Sequence, residues 1–87
     1  MKINPNFIAR NIAGELILVP TGSESAKAGL ITMNTVGAFI WSLLEKGSDE
    51  TAILTAILDE FEVDEQTAKN DMDEFLTMLR TLGAIEA

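Results

Sequence analysis

Carboxylates are the only chemistry-bearing side chains this sequence supplies in quantity. Twelve of its fourteen acidic residues lie between Glu45 and Glu86, and the densest window, Asp59 to Asp71, is about as long as a calcium-binding loop. The window fails as one. Phe61 takes the third ligand position of a loop starting at Asp59, Asp64 stands where the sharp turn needs glycine, and Asn70 replaces the closing glutamate. Paired carboxylates do acid–base work where a pocket drives their pKa values apart, and nothing in this spacing builds such a pocket.

Composition closes the other catalytic routes. The chain has no histidine, no cysteine and no tyrosine. That removes Ser–His and Cys–His nucleophiles, histidine bases, disulfides and thiolate or imidazole metal sites. The six glycines (14, 22, 29, 37, 47 and 83) form neither a dinucleotide fingerprint nor a phosphate loop. The expectation is a protein that is not an enzyme, with no cofactor and no metal.

The elements that must position any binding residues follow from periodicity and punctuation. Phe7–Ile12 and Glu15–Pro20 read as strands around an Ala13-Gly14 turn, after an Asn4-Pro5-Asn6 turn or extended lead-in. Thr21–Ala28 is small and polar, a surface loop, and Leu30–Met33 reads as a third strand returning antiparallel to the second. Three helices follow. The first runs from Thr35 to Lys46, capped by Asn34 and closed by Gly47. Ser48 or Asp49 caps a second reaching Phe61, with an apolar stripe of Ile53, Leu54, Ile57, Leu58 and Phe61. Asp64 caps a third that runs to Leu82 and stops at Gly83, its stripe being Ala68, Met72, Phe75, Leu76, Leu79 and Leu82. Strands first and helices after them point to an α+β fold, winged helix-turn-helix-like, with a three-stranded antiparallel sheet followed by three helices. The 87 residues make one domain, 1–87, which buries roughly 60 % of its unfolded surface.

Charge decides against the usual use of a winged helix. Residues 1–44 carry three basic and two acidic side chains, a net of +1, while residues 45–87 carry three basic and twelve acidic, a net of −9. The second helix holds no lysine or arginine, and the third offers Lys69 and Arg80 against Glu65, Asp71, Asp73 and Glu74. Phosphate contacts supply most non-specific affinity for DNA, and such a surface opposes them. No nucleic-acid partner is expected. The longest early apolar run, Leu16 to Val19, is too short for a membrane span or a signal core, so a cytoplasmic protein with no membrane partner is the plain reading.

The join between the third strand and the first helix carries the binding hypothesis. In a meander the third strand pairs with the second on one side and is free on the other. Free edges are usually blunted by proline, lysine or a bulge, and neither residue type occurs in Leu30, Ile31, Thr32 or Met33. An extended peptide can add to such an edge, taking affinity from main-chain hydrogen bonds and specificity from side-chain pockets. The third helix offers a second wall. With Met72 as origin and about 100° per residue, its core stripe spans roughly 280° to 40°; Met78 falls at about 240°, Asp71 at about 260° and Glu74 at about 200°, with Phe75 at the border. An apolar flank carrying two carboxylates suits a peptide with apolar anchors and a lysine or arginine. Trp41, by contrast, is expected in the core.

"LITMNTVGAFIWSLLEKGSDETAILTAILDEF", with "AKNDMDEFLTMLRTLGAIE" after it, resembles the PqqD family of pyrroloquinoline quinone biosynthesis and its peptide-recognition relatives. The resemblance covers nearly the whole chain and is carried by Met33-Asn34, Ile40-Trp41, Gly47 with the cap behind it, and Asp71-Met72 ahead of Phe75-Leu76, Leu79 and Gly83. It implies a peptide chaperone: a leader segment of a ribosomally made precursor adds to the third strand, lies against the third helix, and is presented to a modifying enzyme, often a radical S-adenosylmethionine protein. Met33 stands where these proteins more often have leucine, and Gly37 falls inside the first helix at a cost of about 1 kcal/mol against alanine. Both are expected to lie clear of the groove. The competing expectation is a homodimer or larger homo-oligomer, an interaction module pairing through the same strand edge.

Overall fold

A computed structural model describes residues 2–21 and 31–86. Strands β1 (Phe7–Ile12), β2 (Glu15–Pro20) and β3 (Ile31–Met33) precede helices α1 (Thr35–Glu45), α2 (Glu50–Glu60) and α3 (Glu65–Leu82). The α+β order read from the sequence is the order observed. The expected loop from Gly22 onward and Leu30, the first residue of the expected third strand, lie outside the described residues.

The sheet is an antiparallel meander in the order β1-β2-β3. Ala13 and Gly14 turn the hairpin with φ of 53° and 84°, the pair of positive angles that lets a two-residue loop match the twist of its strands. Register sets Ala9 opposite Leu18 and Leu18 opposite Ile31, with Leu16 opposite Met33. Opposed residues share a face, so these side chains, with Phe7, turn toward the helices and join the core cluster. Ile8, Arg10, Ile12 and Thr32 alternate onto the other face and are exposed.

Each helix starts where an acidic or amide side chain accepts a free backbone N–H. Gly37 N–H donates to Asn34 Oδ1 at 2.7 Å, Ala52 N–H to Asp49 Oδ1 at 2.8 Å, and Thr67 N–H to Asp64 Oδ1 at 2.7 Å. Asp49, not Ser48, therefore caps α2. The stops are also as expected: Gly47 and Gly83 take φ of 84° and 79° just past α1 and α3, where a Cβ is disfavoured.

Trp41, Leu18, Ile40, Ile53, Ile57, Leu76 and Leu79 are the largest fully buried side chains, each contributing about 1.5–3 kcal/mol of transfer free energy for the aliphatic ones. Trp41 is core as expected, 2 % exposed, and its Nε1–H finds no acceptor among the described residues. The stripe on α2 is narrower than its sequence suggests: Ile53 and Ile57 are buried, whereas Leu58, about 100° further round, is exposed. Leu54 and Phe61 are half-buried at its margins, and the Phe61 ring meets Phe39 edge-on at 5.3 Å.

The two ends of the chain clasp each other. Asn4 N–H donates to Ala84 O at 2.8 Å, Glu86 N–H to Lys2 O at 2.9 Å, and Asn4 Nδ2 to Gly83 O at 2.9 Å. Ile3 and Ile85 thus form an antiparallel bridge that fixes the end of α3 beside the start of the sheet.

Candidate functional site

The join between β3 and α1 is one wall of a cleft of about 340 Å³. Asn34, Val36 and Gly37 supply that wall, and Asp71, Glu74, Phe75 and Met78 supply the facing one from α3. Asn34 can leave β3 and enter α1 in one residue because its backbone is extended, at ψ 178°, while its side chain already caps the helix. No linker separates strand and helix, so the cleft opens directly beside the end of β3.

On α3 the four lining residues fall where helical spacing places one flank. Met78 and Phe75 are half-buried and pack against the core while lining the cleft. Asp71 and Glu74 are exposed, and among the described residues neither carboxylate has a hydrogen bond or an ion pair. Two unpaired acids beside half-buried apolar surface can hold a cation next to an apolar group.

The strand residues stand differently. Ile31, Thr32 and Met33 do not line the cleft; β3 delivers the chain to it. Among the described residues β3 pairs only with β2, leaving its other edge without a partner. The Met33 side chain is core, 6 % exposed, so only its backbone is available to a ligand. Thr32 and Met33 border a separate hollow near the hairpin turn, together with Leu16 and Ala38.

Gly37 corrects the sequence reading. Expected to lie clear of the groove, it lines the cleft, and a Cβ on it would stand 2.8 Å from Phe75 Cε1 and 3.2 Å from Phe75 Cδ1. Its place within α1 is therefore a matter of close approach by a ring from α3. Asn34 and Val36 were also missed as lining residues. The helix-cap signal at Asn34 was the clue, since a cap sits where the backbone turns.

An open antiparallel sheet backed by three helices, with a strand edge unpaired among the described residues and running into a cleft, defines a small winged-helix-like α+β domain. The family model for coenzyme PQQ synthesis protein D (PqqD) matches residues 15–85. The chain belongs to the PqqD family. Two solved structures share the fold. One, described as TbiB1 in complex with the TbiA(beta) leader peptide, is 31 % identical with a TM-score of 0.85, the match covering 100 % of this chain and 96 % of that one. The other, described as lasso peptide synthetase B1 complexed with the leader peptide, is 17 % identical with a TM-score of 0.79, covering 97 % and 93 %. Comparison with curated protein sequences gives no match.

Proposed function

We propose that this chain is a non-catalytic recognition domain that binds the leader segment of a ribosomally made precursor peptide and presents it to a modifying enzyme. The observation that carries the reading is the full-length likeness, at 31 % identity, to a protein described in complex with a leader peptide. Supporting it, the β3 edge is unpaired among the described residues and runs into a cleft of mixed apolar and acidic lining. The leader adds as a fourth strand on Ile31–Met33. Side chains beyond the strand then enter between α1 and α3, against Asp71, Glu74, Phe75 and Met78. Within the cytoplasm the bound precursor is handed to its enzyme, for which a radical S-adenosylmethionine protein is our first candidate on the family resemblance.

Main-chain pairing makes the test sharp. Outward amides belong to alternate residues of a strand, so proline at one of Ile31 and Thr32 removes a donor to the peptide, and at the other it breaks the pair with β2. Titration of a short peptide selected from a displayed library for binding to the parent, against both variants, should show one that folds and binds weakly and one that is destabilised. Two well-folded variants that bind like the parent would exclude edge addition. The unpaired edge also favours a second reading, a homodimer through β3, which excess peptide should dissociate because both occupants need the same backbone groups.

A further inference from the structure

At one wall of the cleft an aromatic ring packs against a residue with no side chain. Phe75 is half-buried, and its ring rests against the first turn of α1 at Gly37. A Cβ at 37 would come within 2.8 Å of Phe75 Cε1, a separation that real Cβ atoms do not adopt. The same Cβ would lie 3.2 Å from Asn34 Oδ1, the oxygen that caps the helix, so it is crowded on a second side as well. The ring is the part that can give, and because it borders the open cleft, the space it would move into is the cleft itself.

We propose that Gly37 sets the size of the peptide side chain this cleft accepts, by letting the Phe75 ring lie back against α1 and keeping room in front of it for a bulky apolar anchor. The proposal rests on the peptide-binding reading and specifies its ligand: a segment with an aromatic or leucine side chain close to a lysine or arginine. The anchor occupies the space bounded by Phe75 and Met78, and the cation meets Asp71 and Glu74, whose carboxylates have no partner among the described residues. Alanine has the higher helix propensity, so a glycine inside α1 gains nothing for the helix alone. What it provides is room for the ring to lie back against α1 and out of the cleft of about 340 Å³.

The test uses the full chain and a displayed library of random short peptides. Selection on the parent should enrich sequences with a bulky apolar residue near a basic one. A parent-selected peptide is then synthesised with phenylalanine, leucine or alanine at that apolar position and titrated against the parent, Gly37→Ala and the double variant Gly37→Ala/Phe75→Leu. Gly37→Ala should weaken the bulky-anchor peptides by about tenfold, the scale of a methylene-sized misfit in an apolar pocket, while sparing the alanine peptide. Adding Phe75→Leu should recover most of the loss. Equal weakening for all three anchors, or no weakening, overturns the proposal. So does a fall in melting temperature of Gly37→Ala that Phe75→Leu reverses without restoring anchor selectivity, because the glycine then serves packing alone. Enriched peptides that lack a bulky apolar residue overturn it while leaving peptide binding intact; a library yielding no binder to the parent overturns both.

Discussion

Met78 lies on the boundary between core and cleft, packed against the buried cluster on one side and lining the opening with Asp71 and Glu74 on the other. A thioether adapts to such a position because it is unbranched and polarisable. Met78→Ala should weaken peptide binding by about 1 kcal/mol in a calorimetric titration. A fold that collapses on the same substitution would make the residue core alone. Asp71 and Glu74 are exposed, so under the proposed reading they act on the peptide through charge, where fixed contacts contribute little and steering contributes more. Replacing them by asparagine and glutamine should slow association with a basic peptide and flatten its salt dependence, with dissociation little changed. Stopped-flow measurement across ionic strength separates the two rates.

Among the elements, α3 ties its stability to acid pH through its cap. The Asp64 carboxylate accepts the Thr67 backbone N–H at 2.7 Å and a second bond from the Thr67 hydroxyl, and these hold its pKa below the ordinary 3.8. A carboxyl group lowered on folding stabilises the native state above its unfolded pKa, and that contribution is lost as pH falls through the folded value. Asp64→Asn keeps a cap oxygen without the titration. Acid unfolding followed by circular dichroism should therefore show the parent losing ground to Asp64→Asn below pH 3.8, with no change in their difference near neutrality. Caps of this kind made the helices legible in the sequence: Asn34, Asp49 and Asp64 each announce a start, and Gly47 and Gly83 each announce a stop. The Ala13-Gly14 turn did the same for the hairpin. The α3 flank was legible because helical spacing alone groups Asp71, Glu74, Phe75 and Met78. Other features leave no periodic trace. The Ile3–Ile85 bridge is a single pair between chain ends, and Gly37 reads as a helix cost until the Phe75 ring from another helix is placed against it.

For the whole molecule, charge selects the partner class. A net charge of −8, with −9 in residues 45–87, surrounds the cleft with a field that attracts basic segments and opposes polyanions. Fluorescence anisotropy with duplex DNA at physiological salt should show no measurable binding, whereas micromolar, salt-sensitive binding would overturn the charge argument. Among the described residues no helix is long and apolar enough to cross a membrane. The sheet has its helices on one face, so under the proposed reading a strand added at β3 extends it without disturbing the core and its following side chains reach the cleft at Asn34. Hydrogen exchange at the β3 amides reads that event most directly. With a peptide selected on the parent bound at saturation, an amide within Ile31–Met33 should exchange markedly more slowly than in the free protein, while the amides of β1 keep their rates. Saturating peptide that leaves every β3 amide exchanging as before would contradict strand addition and with it the central claim.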